Sequence, residues 1–75
     1  MTLEQIKIGQ CCKVKKVTAQ GMLKRKLLEM GLTPGTEIYL RKVAPLGDPI
    51  QITLRGYELS IRKADAKNIA VEIVT

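Results

Sequence analysis

The sequence predicts a mostly β protein in which five short strands form one small sheet. Five segments of the 75-residue chain alternate apolar and polar side chains with the two-residue period of a half-buried strand. One segment, residues 20–31, instead places its apolar residues at the spacing of an amphipathic helix. No strand–helix–strand unit is long enough to require a doubly wound parallel sheet.

A helical turn and a strand are predicted ahead of the helix. Thr2 with Gln5 fits a capping box, which predicts a single helical turn before Gly9. The segment CCKVKKV, residues 11–17, alternates as a half-buried strand. Val17 breaks that period, which indicates a β-bulge.

The predicted helix has one apolar face and a clear end. Leu23, Leu27 and Met30 lie at positions i, i+4 and i+7, which is one side of a short helix. Gly31 follows as the C′ glycine in a left-handed conformation. Leu32 is then expected to pack back onto Leu27, the contact that accompanies a Schellman motif.

Glycine and proline mark the turns that follow. Pro34 and Gly35 form the centre of TPGT, which is typical of a type II turn. Gly56 is the second residue of a two-residue hairpin link, RG, between two alternating segments. The segment RKADAKN has room for one or two helical turns before the last strand.

Alternation in the later strands predicts which side chains face the core. The chain has no Trp or Phe, so this core consists of Ile, Val, Leu and Met. The residues expected to point inward are Ile38, Leu40, Ile50, Ile52, Leu54, Tyr57, Leu59, Ile61, Ile69, Val71 and Ile73.

These elements together predict a small five-stranded SH3-like β-barrel. It has one short α-helix between strands 1 and 2 and a helical turn before the last strand. A chain of this length can bury one core at most, so residues 1–75 are expected to form a single domain. The alternative is an OB-type barrel.

Composition limits the possible functions. The apolar stretches are far shorter than the roughly 20 residues of a membrane span, and the N-terminal segment lacks a signal-peptide pattern, so the expected location is the cytoplasm. The chain contains no His, and its Asp and Glu residues do not cluster. We therefore predict no catalytic, cofactor-binding or metal-binding residues, and no enzymatic activity.

Cys11 and Cys12 are adjacent in a predicted strand. Neighbouring strand residues point to opposite faces, so a disulfide between them would be strained. A zinc site needs a wider spacing and more ligands. The pair is expected to be one half-buried and one outward-facing thiol, both reduced.

Three stretches, MGLTPGT, APLGDPI and LSIRKADA, occur in this order. With them, residues 2–73 resemble the FeoA family, ferrous iron transport protein A. The resemblance implies an SH3-like barrel in the cytoplasm and an accessory role to FeoB, a membrane transporter of Fe(II) with a cytosolic GTP-binding domain. The same barrel resembles the C-terminal domain of iron-dependent repressors, but this chain lacks a DNA-reading helix pair.

The segment VAPLGDPIQI holds an apolar residue, Leu46, at the tip of a loop. Pro45 and Pro49 restrict the backbone on both sides, and Gly47 allows the positive φ that a reversal needs. Two interpretations remain open. Leu46 folds back to cover one end of the barrel, or it is a stiff apolar contact for a protein partner.

The helix carries a second candidate contact. Met22 and Leu28 lie off the buried stripe on opposite sides, so one is expected to be covered and the other exposed. Lys26 belongs to a run of three cations beside them. The hypothesis is a partner-binding site at Met22, Lys26, Leu28 and Leu46, and the alternative is an ordinary solvated face.

The net charge of +6 allows a different partner, RNA. Bases stack on aromatic side chains, and the chain offers only Tyr39 and Tyr57, of which Tyr57 is expected to face inward. We therefore expect no specific nucleic acid, no membrane insertion, and a FeoB-type transporter as the partner. RNA binding is the alternative, and the oligomeric state is left open.

Overall fold

The computed structural model describes residues 1–74, whose five strands form one antiparallel sheet in the order β4-β3-β2-β1-β5. Within these residues no pairing joins β4 to β5, so the sheet is open and these two strands are its edges. A 3-10 turn precedes β1, helix α1 lies between β1 and β2, and a short helix α2 precedes β5. The elements are the 3-10 turn Leu3–Gln5, β1 Cys11–Val17, α1 Gly21–Glu29, β2 Glu37–Val43, β3 Ile50–Leu54, β4 Tyr57–Ile61, α2 Lys63–Ala66 and β5 Ile69–Ile73.

The predicted bulge is present in β1. The pairing of β1 with β5 shifts between Val14 and Lys16, which leaves Lys15 as the extra residue. The shift restores the inward direction of Val17, which is buried. A second shift, in β2 between Leu40 and Lys42, was not predicted, although Val43 falls out of period with Ile38 and Leu40 and packs against the core.

One apolar cluster fills the space between the sheet, α1 and the N-terminal turn. It contains no large aromatic side chain, as composition predicted. Its members are Leu3, Ile6, Cys12, Val14, Val17, Ala19, Leu27, Leu32, Ile38, Leu40, Ile50, Ile52, Leu54, Ile61, Ala66, Ile69 and Val71.

Two side chains predicted to face inward are largely outside this core. Tyr57 is 44% exposed and Ile73 is 38% exposed. Both lie at the ends of the edge strands, β4 and β5, where one side has no neighbouring strand to cover them. Alternation alone does not reveal which strands are edges, so the prediction was wrong for these two residues.

The end of α1 is a Schellman motif, as predicted. The Gly31 N–H donates to the Leu28 carbonyl at 3.0 Å, and the Leu32 N–H donates to the Leu27 carbonyl at 3.2 Å. Gly31 has a φ of +100°, which only glycine adopts without strain. Leu27 and Leu32 are both fully buried, so the chain reverses with its two leucines in the core.

The local turns also follow their sequence signals. The Thr36 N–H donates to the Thr33 carbonyl at 3.1 Å, and Gly35 has a φ of +91°, consistent with a type II turn at TPGT. Arg55 and Gly56 both have positive φ, the type I′ geometry that matches the twist of a hairpin.

Ahead of β1, the Thr2 N–H donates to the side chain of Gln5 at 2.8 Å, in the predicted capping arrangement.

None of the helices found in residues 1–74 has the length and apolar character required to cross a bilayer.

Candidate functional site

Helix α1 presents one apolar side chain fully to solvent and a second only in part. Met22 is 88% exposed, whereas Leu28 is half-buried and packs against the core. Met22 is thus the exposed residue of the pair, and Leu28 is only partly covered. Leu28 forms part of a shallow, mostly apolar depression whose other lining residues are Gly21, Lys24, Arg25 and Glu29.

The charge around this depression is mainly positive. Lys24, Arg25 and Lys26 are all exposed, and the first turn of α1 has no acidic residue. The positive end of the helix dipole adds to these charges. We call Met22, Lys24, Arg25, Lys26 and Leu28 the α1 surface.

The turn at residues 44–49, called the Leu46 turn below, leaves its leucine outside the core. Leu46 is 97% exposed, so the interpretation that it folds back over the barrel is wrong. The reason is local. The Gly47 N–H donates to the Ala44 carbonyl at 2.7 Å, and the Ala44 N–H donates to the Pro49 carbonyl at 3.0 Å, so the chain reverses too tightly for Leu46 to reach the core.

The base of the Leu46 turn is held against the start of α2. The Asp48 carboxylate accepts a hydrogen bond from the Lys63 N–H at 2.9 Å. Gly47 has a φ of +89°, and a side chain there would meet the Lys63 ammonium at 3.6 Å. The turn is therefore anchored at its base, while its tip projects.

The two candidate surfaces are separate. Tyr57, at the start of β4, donates its hydroxyl proton to the Met30 carbonyl at the end of α1. The Leu46 turn lies beside Lys63, just beyond the far end of β4. The end of α1 and the Leu46 turn thus lie at opposite ends of the β3–β4 hairpin, roughly 13 Å apart along the strands.

A side-chain cluster that sequence reasoning missed ties the β3–β4 turn to the segment after α1. Arg55 donates to the Thr33 hydroxyl at 3.0 Å and to the buried Thr36 hydroxyl at 2.9 Å. These residues are 22 and 19 positions apart in the chain, so no local pattern could have indicated the contact. The cluster, with the Tyr57 bond, holds the C-terminal end of α1 in place.

The two cysteines have different environments. Both are free thiols; Cys12 is fully buried and Cys11 is half-buried. Burial raises the pKa of the Cys12 thiol from its ordinary 9.0 to about 11, and the neighbouring Cys11 thiolate adds to this shift. Cys12 is accordingly a core residue rather than a reactive one.

The outer face of the sheet carries one partly exposed tyrosine and an ion pair. Tyr39 is 42% exposed on the outer face of β2, and Arg41 and Glu58 form an ion pair nearby on the same sheet. Within residues 1–74, no three Cys, Asp or Glu side chains come together in an arrangement suited to a metal ion.

Comparison with known proteins gives a consistent set of relatives. A family model described as the FeoA domain matches residues 1–73. The NMR structure of an FeoA-like protein from Clostridium acetobutylicum is 43% identical with a TM-score of 0.94, and the match covers 100% of this chain and 87% of that one.

The crystal structure of Stenotrophomonas maltophilia FeoA complexed with zinc is 25% identical with a TM-score of 0.84, over 96% of this chain and 89% of that one. It is described as a prokaryotic SH3 domain protein suggested to be a ferrous iron transport activating factor. The predicted SH3-like fold class is therefore confirmed, with the sheet open between β4 and β5, and the OB-type alternative is not supported.

A further relative is a fusion protein of Fe(2+) transport protein A and the Fe(2+) transporter FeoB from Porphyromonas gingivalis. It is 32% identical over all 75 residues of this chain. The chain spans only 9% of the length of the fusion protein.

Proposed function

Because this chain belongs to the FeoA family, we propose that it is a non-enzymatic, cytoplasmic accessory protein of Fe(II) uptake that binds the cytosolic face of a FeoB-type transporter and regulates it. The observation that carries the proposal is the Porphyromonas gingivalis fusion, in which a segment similar to this whole chain is joined to a transporter. Covalent linkage raises the effective concentration of one partner near the other, which is useful for two proteins that act at one place.

The α1 surface is the part of the molecule best suited to this contact. Met22 offers an apolar side chain that no part of the described chain covers. Leu28 lies on the other side of the buried stripe, in a shallow depression that Met22 does not line. Lys26 and its neighbours would steer an acidic partner toward these two residues, while the apolar contacts would supply most of the affinity.

Rigidity at the end of α1 supports the same assignment. The Schellman motif and the bond from Tyr57 to Met30 fix the C-terminal end of the helix. A surface that is already ordered loses little conformational entropy when a partner binds. Leu46, at the other end of the β3–β4 hairpin, lies outside this surface.

The test is a pull-down of the purified protein with the full-length transporter and with its cytosolic part, each with and without GTP. Met22→Ser and Lys26→Glu should weaken binding several-fold without lowering the melting temperature, because both side chains are exposed. Lys7→Glu, the same charge reversal at an exposed lysine outside α1, is the matched control and should bind like the parent.

Raising the salt concentration should lower the association rate of the parent more than that of Lys26→Glu. Equal binding by the parent, Met22→Ser and Lys26→Glu would remove α1 from the interface. No binding by the parent to any form of the transporter would contradict the proposed function itself.

RNA binding is the second candidate function. The observation that favours it is that Tyr57 is not inward, so both tyrosines are partly exposed on a protein with a net charge of +6. Against it, the Tyr57 hydroxyl is bonded to Met30, which holds the ring at the rim of the sheet. Binding to generic RNA that falls steeply with salt and is lost in Tyr39→Ala would favour this alternative.

A further inference from the structure

We propose that the Leu46 turn contacts the surface of an anionic phospholipid bilayer, with Leu46 entering the headgroup region and neighbouring cations facing the lipid phosphates. This contact is peripheral and involves no membrane span. It goes beyond the transporter contact at α1 and does not depend on it, because it uses a different end of the molecule.

The shape of the turn suits a bilayer better than a protein partner. Leu46 projects alone at 97% exposure, and its flanking residues Pro45 and Gly47 carry no charge. A stable protein interface buries about 800 Å² on each partner, far more than one projecting leucine supplies. A bilayer interface accepts an isolated apolar side chain without a matching pocket.

The turn is ordered before any contact is made. Two backbone hydrogen bonds close it, and Asp48 fastens it to the first residue of α2. Pro45 and Pro49 fix two further backbone angles. Leu46 is therefore held out in solvent, and inserting it requires no rearrangement of the backbone.

The charges around the turn favour an anionic surface. Lys63 places its ammonium next to Gly47, Arg62 precedes it, and Lys42 lies near the end of β2 where the turn begins. The nearby acids are Asp48, whose carboxylate accepts the Lys63 N–H, and Asp65. Cations thus exceed acids locally, and the net charge of +6 adds a longer-range attraction to anionic lipid.

One leucine with a few cations gives weak and reversible membrane binding. Such binding would raise the concentration of the protein along the membrane that holds its proposed partner, and it would leave the α1 surface free. Because it is partly electrostatic, it should fall as the salt concentration rises.

The experiment is co-sedimentation of the full chain with vesicles that contain no transporter. One set consists of phosphatidylcholine alone, and the other contains phosphatidylglycerol as well. The parent should bind the anionic vesicles at low salt and bind the neutral ones much less. Leu46→Ser should reduce binding to anionic vesicles by about threefold or more, because it removes the inserted apolar group.

Met22→Ser is the matched control, since it also removes a highly exposed apolar side chain, and it should bind the vesicles like the parent. Unchanged melting temperatures would show that neither variant is unfolded. The double variant Arg62→Gln/Lys63→Gln should weaken binding to anionic vesicles while leaving the small binding to neutral ones unchanged.

Three results would overturn the proposal. The first is no binding of the parent to anionic vesicles at low salt, and the second is equal binding by Leu46→Ser and the parent. The third is that Leu46→Ser weakens the pull-down with the transporter but leaves vesicle binding unchanged, which would assign the turn to a protein partner. Because the vesicles contain no protein, failure here leaves the transporter proposal intact.

Discussion

Adjacent residues in this protein have opposite chemical environments, and Cys11 and Cys12 are the clearest pair. Cys12 lies in the core, where loss of solvation disfavours its thiolate and raises its pKa. Cys11, half-buried on the other face of β1, keeps access to solvent. Burial rather than residue type therefore decides which thiol can react.

The raised pKa of Cys12 predicts a loss of stability in alkali. Between pH 9.0 and about 11 the folded protein keeps a proton that the unfolded chain has released, so the free energy of unfolding falls as the pH rises. The total loss should approach 2 to 3 kcal/mol, roughly two pKa units at 1.4 kcal/mol each. Urea unfolding of the parent and of Cys12→Ala across this range measures it.

Cys12→Ala should be less stable at neutral pH and should show a shallower alkaline decline. Cys11→Ala should keep most of the decline, because burial is the main cause of the shift. Any other contribution to the pH dependence is common to all three proteins and cancels in the comparison. Identical pH slopes in the parent and Cys12→Ala would contradict the assignment.

Alanine in place of Gly31 and alanine in place of Gly35 should lower the free energy of unfolding by different amounts, although the two glycines have similar backbone angles. Gly31 has a φ of +100° and Gly35 a φ of +91°, so alanine is strained at both. At Gly31 the new Cβ would also lie 2.7 Å from the Tyr57 hydroxyl, whereas nothing lies within 4 Å at Gly35. Gly35→Ala should cost about 1 kcal/mol, and Gly31→Ala distinctly more.

Thermal or urea unfolding of the two variants measures this difference. Adding Tyr57→Phe to Gly31→Ala should recover part of the loss, because it removes the oxygen that the methyl group meets. In the parent background, Tyr57→Phe should be destabilising, because it leaves the Met30 carbonyl without its donor. An equal loss of stability in Gly31→Ala and Gly35→Ala would show that the Tyr57 ring moves aside freely.

At the scale of elements, α1 and the Leu46 turn hold their leucines in different ways. Leu28 lies on a helix whose inner face packs on the core, so it is half-buried. Leu46 lies at the corner of a tight turn whose hydrogen bonds are all made within residues 44–49 and to α2, so it is exposed. A polar substitution should therefore lower the free energy of unfolding by different amounts at the two leucines.

Leu46→Ser should change the free energy of unfolding by no more than about 0.5 kcal/mol, because the side chain makes almost no contact with the core. Leu28→Gln should cost about 1 to 2 kcal/mol, because it removes partly buried apolar surface. Melting curves of the two variants show which substitution causes the larger loss of stability. A larger loss for Leu46→Ser would mean that the turn closes over the barrel in solution.

At the scale of the whole molecule, the chemistry of the side chains predicts that the isolated protein has no tight Fe(II) site. Fe(II) in proteins is held mainly by imidazole and carboxylate ligands, and the chain has no His. Anaerobic calorimetry should detect no stoichiometric binding in the submicromolar range. A site of that affinity would contradict the prediction and would require ligands from more than one copy of the chain or from groups far apart in it.

The features that could be predicted from the sequence are those set by neighbouring residues. The Schellman end at Gly31, the TPGT turn at Gly35 and the RG hairpin at Gly56 each depend on backbone angles within a few positions. Strand alternation is also local, so most of the core, the order of the elements and the bulge near Val17 followed from it. Helical spacing also predicted that Met22 and Leu28 lie off the buried stripe of α1, while their role in binding stays a prediction.

What the sequence could not show depends on contacts between distant parts of the chain. Sheet order made β4 and β5 the edges, which left Tyr57 and Ile73 outside the core. Folding brought Arg55 to Thr33 and Thr36, across separations that no periodic pattern covers. It also left Leu46 exposed, which contradicts only the interpretation that Leu46 folds back over the barrel. Exposure depends on which surfaces meet, and alternation or helical spacing gives only the direction in which a side chain leaves its own element.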